Sequence, residues 1–143
     1  MSKISTILAR KSKGAFSSPP GISVFKALEL MAQNNIGALV VADGENYLGI
    51  MTERDYARKV ILQGKHSSET MIDEIMSTDL PTLNPADTLD RCMQLMSEHN
   101  VRYLPIFDGD KFAGVISISD VVTETIRLQK ETINHLQDYI HGQ

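Results

Sequence analysis

Two seven-residue segments of the chain combine residue types that can hold a small polyol. Each has a glycine, two apolar residues, a hydroxyl residue, two variable residues and an aspartate. At the start of a helix, such a carboxylate can accept from both hydroxyls of a vicinal diol, and the hydroxyl side chain adds a third hydrogen bond. The free N–H groups of the same helix start favour phosphate. The segments are Gly49-Ile50-Met51-Thr52-Glu53-Arg54-Asp55 and Gly114-Val115-Ile116-Ser117-Ile118-Ser119-Asp120.

The same spacing has a second, purely structural interpretation. A Ser or Thr N-cap followed three residues later by an acid approximates a capping box, and the acid complements the helix dipole. For a single copy, this interpretation is at least as strong as that of a ligand site. Repetition of the whole seven-residue pattern at one offset favours the ligand site.

Both segments belong to an internal repeat with an offset of 65 residues. No gap is needed between residues 20 and 61, and conservative replacements fill the positions between the identities. The chain therefore carries two copies of a unit of roughly 60 residues. Identical pairs include Pro20 and Pro85, Asn35 and Asn100, Asp43 and Asp108, Gly44 and Gly109, and Asp55 and Asp120.

Each copy predicts the order strand, helix, strand, strand, helix, which is an α/β (α+β) fold. Ser23 and Thr88 are expected at the start of the first helices, ahead of apolar residues with helical spacing. The second helices begin near Glu53 and Ile118, and Gly64 ends the first of them after about Gln63. Strands are predicted at 15–17, 38–42 and 47–51, and at 81–83, 103–107 and 112–116, with Asp-Gly turns inside each hairpin.

These elements divide the chain into five expected segments. The repeats occupy 15–64 and 80–128, and a linker with a short helix near 72–76 occupies 65–79. Residues 1–14 form an N-terminal segment with helical spacing of apolar residues, and 129–143 form a helical extension.

Composition excludes several classes of protein. The 143 residues are 42% hydrophobic and 22% charged, which is typical of a globular chain, and no apolar run is long enough to cross a membrane. A single cysteine excludes an intrachain disulfide and a multi-cysteine zinc site, and no histidines have metal-ligand spacing. We therefore expect no metal, no membrane contact and a cytoplasmic location. Residues interpreted as core are Met31, Cys92, Met93 and Met96.

At this point the chain resembles a tandem pair of cystathionine-β-synthase (CBS) domains, called a Bateman module. The resemblance covers about residues 15–128 and is closest to small stand-alone proteins that contain little beyond one CBS pair. It implies two repeats packed about a pseudo-twofold axis, with clefts between them. The matching positions are Pro20 with 22–31, 36–41 and 49–55 in the first copy, and Met76, 81–85, 101–106 and 114–120 in the second.

The resemblance also implies roles for individual residues. Asp55 and Asp120 would bind the ribose hydroxyls of an adenosine ligand, assisted by Thr52 and Ser117. The adenine pocket would be formed by Thr82, Leu83, Leu104 and Pro105 in the second copy, and by Ser17, Ser18 and Ala38 in the first. The copies differ, since Val40 and Gly37 stand where the second has Pro105 and Arg102, and this favours the second copy as the base pocket.

Four basic residues have alternative interpretations. Arg54 and Arg102 are candidates for a ligand phosphate, and the alternative for both is a solvated arginine on the surface. Lys11 and Lys13 are interpreted as charges of an N-terminal tail.

These observations support three hypotheses of function. The first is a non-catalytic module that binds AMP, ADP, ATP or NAD between the repeats and signals energy or redox state to an unknown protein effector. The second is an interaction scaffold with vestigial pockets. The third, suggested by the resemblance alone, is a nucleic-acid-associated regulator, which a net charge of −4 makes less favourable. No nucleophile–base pair or metal set indicates an enzyme. The resemblance suggests a homodimer through the last helix, at Val122, Ile126, Ile133, Leu136 and Ile140, and the alternative is that these residues close the core.

Overall fold

A computed structural model describes residues 2–11 and 14–141 and divides into two compact units. The first unit contains residues 14–81 and 110–112. The second contains residues 2–11, 82–109 and 113–141. Within the described ranges, no helix has the length and apolar content needed to cross a bilayer.

The secondary structure follows the predicted order in the first repeat, and in the second repeat apart from its first strand. In chain order the elements are α1 (Ile4–Arg10), β1 (Ser17–Ser18), α2 (Val24–Asn34), β2 (Ala38–Asp43), β3 (Asn46–Thr52), α3 (Glu53–Lys59), a 3-10 turn (Ile61–Gln63), α4 (Ile72–Ile75), α5 (Leu89–His99), β4 (Tyr103–Asp108), β5 (Lys111–Ser117) and α6 (Ile118–Ile140).

The first helix of each repeat begins where its cap predicts. The Ser23 hydroxyl accepts from the Lys26 backbone N–H at 3.0 Å, and the Thr88 hydroxyl accepts from that of Arg91 at 3.2 Å. Both helices end at an asparagine in the left-handed region, Asn35 and Asn100, a conformation that asparagine tolerates better than most residues. Helices α2 and α5 therefore start and stop at equivalent residues.

The hairpins of the two repeats also agree with prediction. Gly44 and Gly109 adopt φ values of 62° and 63°, which the tight two-residue turns require. The antiparallel pairing of β2 with β3 places Ala38 opposite Thr52, at the end of the strand that leads into α3. The hairpin therefore carries its hydroxyl residue to the start of the next helix.

The short strand predicted before the first helix of each repeat forms in the first repeat only. There the Val40 N–H donates to the Phe16 carbonyl at 3.0 Å, and β1 runs parallel to β2. The equivalent of Val40 is Pro105, which has no N–H to donate. Leu83 consequently makes only an isolated parallel bridge to Ile106, so the strand predicted at 81–83 is wrong.

The second helices of the two repeats differ in length. Helix α3 ends at Lys59, earlier than predicted, and the chain turns through the 3-10 segment to Gly64 at φ 71°. Helix α6 continues to Ile140 and exposes between 46% and 75% of Val122, Ile126, Ile133, Leu136 and Ile140. Those residues do not close the core.

Each unit has its own hydrophobic core. Val24, Met31 and Met51 belong to the first, and Cys92, Met96 and Leu104 to the second. Burial raises the pKa of the Cys92 thiol to about 11, as expected for a core cysteine. The interpretation of Met93 as core is wrong. It is 37% exposed, because it lies on the side of α5 that borders a groove along α6.

Helix α1 packs in the second unit through an ion cluster around Glu124. This side chain is only 4% exposed and accepts from Arg10 at 2.8 Å, from Arg127 at 2.8 Å and from the Ser2 hydroxyl. Hydrogen bonds from Arg127, Ser2 and Arg10 lower the pKa of the Glu124 carboxyl to about 2. Ile4 and Ile7 are buried beneath the same helix.

Because this pKa is lowered on folding, Glu124 stabilises the protein above its ordinary pKa, and the contribution is lost as pH falls from about 5 to about 2. Glu124→Gln should lower the free energy of unfolding by about 3 kcal/mol at pH 7, with the difference from wild type shrinking towards pH 2. Urea unfolding across this range measures it. Glu131→Gln, an exposed partner of the same Arg127, should change stability by less than about 0.5 kcal/mol. A pH-independent difference at Glu124 would contradict the assignment.

Candidate functional site

The first candidate site is the junction of β3 and α3. The Thr52 hydroxyl accepts from the Asp55 backbone N–H at 3.1 Å, and Asp55 Oδ2 accepts from the Thr52 backbone N–H at 2.9 Å. The Thr52 hydroxyl also donates to the same carboxylate oxygen at 3.0 Å. The arrangement is a complete capping box.

The other oxygen of Asp55 is bonded by two further residues. Oδ1 accepts from the Ser77 hydroxyl at 2.9 Å and lies 3.0 Å from the Lys59 ammonium, one turn along α3. A carboxylate offers about four lone-pair positions. Four donors therefore satisfy Asp55, whose side chain is 8% exposed.

Gly49 lets the chain segment that contains Ser77 approach this site. Ile50 and Ser77 exchange backbone hydrogen bonds of 3.0 and 2.8 Å. A Cβ on Gly49 would lie 2.7 Å from the Ser77 carbonyl oxygen, closer than real Cβ atoms come, and in tight contact at 3.0 Å with the Met76 sulfur. The glycine of the signature thus permits the contact that delivers the Ser77 hydroxyl to Asp55.

The second candidate site is the junction of β5 and α6. The Ser117 hydroxyl accepts from the Asp120 backbone N–H at 3.1 Å, and Asp120 Oδ2 accepts from the Ser117 backbone N–H at 2.8 Å. The capping box is complete here as well. Lys11 places its ammonium 3.0 Å from the same Oδ2.

The two carboxylates differ in what remains available to a ligand. No donor in residues 2–11 or 14–141 bonds to Asp120 Oδ1, and the Asp120 side chain is 20% exposed. Both oxygens of Asp55 are taken and its side chain is nearly buried. Asp120 therefore has hydrogen-bonding capacity that Asp55 lacks.

The residues predicted for an adenine pocket in the second repeat surround the Leu83 bridge. The Leu83 N–H donates to the Pro105 carbonyl at 3.0 Å. Leu83 and Leu104 are buried in the core, Pro105 is buried and Thr82 is exposed. The two leucine side chains therefore belong to the core of the second unit.

The predicted first-repeat pocket residues lie on the β1–β2–β3 sheet. Ser17 pairs with Val40 and is exposed, whereas Ser18 is buried and its hydroxyl donates to the Pro19 carbonyl at 2.8 Å. Ala38 is half-buried beside Thr52. The sheet thus brings Ala38 to the capping box.

The two arginines occupy different surroundings. Arg54 is half-buried in the first turn of α3, one residue before Asp55. Arg102 is exposed and borders the groove between α5 and α6, while its carbonyl accepts from the Ile118 N–H at 2.8 Å. Its carbonyl therefore abuts the start of α6.

Three residues that contact the two aspartates were not predicted as site residues from the sequence. Lys59 had a readable signal, because it lies four residues after Asp55 on a predicted helix. Ser77 lies 22 residues from Asp55, with no pattern that connects the two. Lys11 is not the tail charge expected of it, since it pairs with Asp120, and Lys13 lies outside the described residues.

Comparisons with known proteins agree with the repeat. The family model of the CBS domain matches residues 12–62 and 72–126. The chain is 38% identical over 125 residues to the mitochondrial CBS domain-containing protein CBSX3 of Arabidopsis thaliana. That alignment covers 84% of this chain and 61% of the plant protein, so this chain spans less than two thirds of that relative.

Solved structures show the same fold. A protein with CBS domains from Burkholderia ambifaria is 42% identical, with a TM-score of 0.82 over 88% of this chain and 95% of that one. The CBS domain pair of protein MJ0100 is 25% identical, with a TM-score of 0.74 over 87% and 96% of the two chains. It was solved in complex with 5′-methylthioadenosine and S-adenosyl-L-methionine. The resemblance and the α+β fold class predicted from the sequence are confirmed.

The close approach at Gly49 generates a prediction. Gly49→Ala should destabilise the protein by about 1–3 kcal/mol, because the added methyl group meets backbone that must shift. Gly14→Ala is the matched control, since a Cβ there meets nothing within 4 Å. Chemical denaturation measures both. Equal stability of the two variants would show that the segment at Ser77 does not pack against Gly49.

Proposed function

Because the chain belongs to the CBS domain family, we propose that it is a non-catalytic regulatory module that binds an adenosine-containing ligand. The principal site is the junction of β5 and α6, where Ser117 and Asp120 lie. AMP, ADP, ATP and NAD are the candidate ligands, because each carries a ribose diol beside adenine. Adenosine ligands in the MJ0100 relative support this class of ligand.

The observation that carries the proposal is the unshared oxygen of Asp120. Its capping box uses Oδ2, so Oδ1 remains available to accept from a ribose hydroxyl without loss of the cap. The Ser117 oxygen accepts from the Asp120 N–H, which leaves its proton for a ligand oxygen. The Ile118 and Asp120 N–H groups at the start of α6 are already bonded, so the helix adds chiefly a partial positive charge that favours phosphate.

The first repeat is a weaker candidate. Ligand binding at Asp55 would have to displace the Ser77 hydroxyl or the Lys59 ammonium from Oδ1. The Asp55 carboxylate is only 8% exposed, so a ligand that displaced either donor would have to replace its hydrogen bond in full. One ligand per chain, at the second repeat, is therefore the expected stoichiometry.

A second copy of the chain is the proposed partner of α6. Val122, Ile126, Ile133, Leu136 and Ile140 recur at alternating spacings of three and four once Gln129 is included, which is the spacing of a two-helix seam. All five apolar side chains are largely exposed. The isoleucines occupy alternate seam positions, where β-branched residues favour an assembly of two helices. Such a dimer would pass ligand occupancy to a protein effector.

The ligand proposal predicts that Asp120→Ala weakens AMP binding by roughly 1.5–3 kcal/mol, because a charge-assisted contact to the diol is lost. Asp55→Ala should change AMP affinity much less. Calorimetric titration measures both, with Asp110→Ala, an exposed carboxylate of the β4–β5 turn, as the control.

A ligand-side test is independent of any effect of these variants on folding. Wild-type protein should bind 2′-deoxy-AMP more weakly than AMP, because the deoxy sugar offers one hydroxyl fewer to the carboxylate. Equal affinity for the two, or equal loss in the Asp55 and Asp120 variants, would contradict the assignment. No saturable binding of AMP, ADP, ATP or NAD at millimolar concentration would favour a scaffold instead.

The dimer proposal predicts that Ile133→Glu shifts the chain towards monomer, because it places a charge in the seam. Sedimentation velocity over a range of concentrations measures the shift. Asn134→Glu adds the same charge one residue away from the seam and should sediment as wild type. Identical behaviour of wild type and Ile133→Glu would remove α6 as the contact.

A further inference from the structure

Lys11 lies outside the second repeat, yet it contacts the candidate site at the junction of β5 and α6. It follows α1, and its ammonium lies 3.0 Å from Asp120 Oδ2 and donates to the Val115 carbonyl at 2.8 Å. The Lys11 side chain is 28% exposed. Its cation is therefore fixed at two points, yet remains within reach of solvent.

The repeat relationship shows which contacts Lys11 replaces. Val115 is the counterpart of Ile50, whose carbonyl accepts from the Ser77 N–H at 2.8 Å, and Asp55 accepts from the Ser77 hydroxyl. Lys11 thus supplies the second repeat with counterparts of two of the three Ser77 contacts, the third being the Ser77 carbonyl that accepts from the Ile50 N–H. The neutral Ser77 hydroxyl beside Asp55 thus corresponds to the Lys11 ammonium, carried on a flexible aliphatic chain, beside Asp120.

The two repeats carry opposite charges at one equivalent helix position, and this explains why the cation beside Asp120 comes from the residue after α1. Position 59 is a lysine that pairs with Asp55, and its counterpart 65 residues later is Glu124, which cannot pair with a carboxylate. Glu124 instead binds Arg10, the residue before Lys11. Glu124 thus takes the place of a lysine on α6 and also binds α1, the helix that Lys11 follows.

Further packing holds α1 in this position. A Cβ on Gly114, at φ 151°, would lie 3.1 Å from the Leu8 side chain, so the signature glycine of the second repeat accommodates α1. The Leu89 N–H donates to the Ser2 carbonyl at 2.9 Å. Lys11 is delivered to Asp120 by a helix that is anchored at its start and along its length.

We propose that Lys11 makes the second-repeat site selective for phosphorylated over unphosphorylated adenosine ligands, an inference that rests on the proposed function. Oδ2 of Asp120 already accepts from Ser117 and Lys11, so a diol that engages both oxygens must displace the ammonium. A ligand phosphate takes up the displaced cation through a charge-assisted contact, and adenosine has no group that can do so. Lys11 thus opposes a neutral nucleoside and favours a nucleotide.

The test is the ratio of AMP affinity to adenosine affinity, measured by calorimetry on the full chain. Lys11→Met keeps the aliphatic stem and removes the charge. It should lower the ratio about fivefold or more, through weaker AMP binding, tighter adenosine binding or both. Lys11→Arg keeps a cation and should retain most of the discrimination. Lys3→Met, an exposed lysine at the start of α1, is the matched control and should keep the wild-type ratio.

The outcomes separate this inference from the proposed function. If wild type binds AMP and Lys11→Met shows the same ratio or a higher one, the selectivity role is overturned while the ligand site stands. If wild type binds neither AMP nor adenosine, both fall. Because the ratio compares two ligands on one protein, a general loss of stability in Lys11→Met lowers both affinities and leaves the ratio unchanged. Lys11→Gln provides a second neutral variant if the methionine form does not fold.

Discussion

Each repeat depends on an aspartate carboxylate held at the start of a helix. In that position the carboxylate closes a capping box, which joins the hairpin to the helix and sets where the helix begins. It also has to be satisfied at a partly or nearly buried location, where an unshared charge is unfavourable. The glycine at the head of the signature, the segment that packs over it and the lysine beside it all follow from this requirement.

The two repeats meet the requirement with different parts of the chain. The first uses a serine 22 residues downstream and a lysine on the same helix. The second repeat has Glu124 at the position of that lysine. Glu124 binds Arg10 of α1, and Lys11, which follows α1, pairs with Asp120. Backbone conformation is shared at the hairpin glycines, at the ends of the first helices and at the two capping boxes, while the chemistry around the carboxylate is not. A duplicated fold has thus produced two sites of unequal capacity.

Local patterns of the sequence were sufficient for the elements and insufficient for the contacts. Helix starts at Ser23 and Thr88, and the glycine turns, depend on residues within four positions of one another, so they can be predicted. The pairing of Lys11 with Asp120 joins residues 109 positions apart, and no spacing rule connects them. The strand lost at 81–83 was predictable in principle, because Pro105 stands where a donor is needed. Met93 had the helical spacing of a core residue, but the exposed groove along α6 borders that side of its helix.

Capping and ligand binding are compatible at one carboxylate only if the cap leaves an oxygen unshared. Asp120 meets this condition, because the Ser117 N–H and Lys11 both bond to Oδ2. Asp55 does not, because Ser77 and Lys59 take the oxygen that the cap leaves. The structural and ligand-binding interpretations of the signature are therefore not alternatives for the whole chain. In the first repeat the cap and its neighbours occupy both oxygens of Asp55, whereas in the second repeat the same cap leaves Oδ1 of Asp120 unbonded by the described residues. The repeats differ in which oxygen the neighbouring cation occupies: Lys59 of the same helix takes Oδ1 of Asp55, whereas Lys11, from outside the second repeat, takes Oδ2 of Asp120.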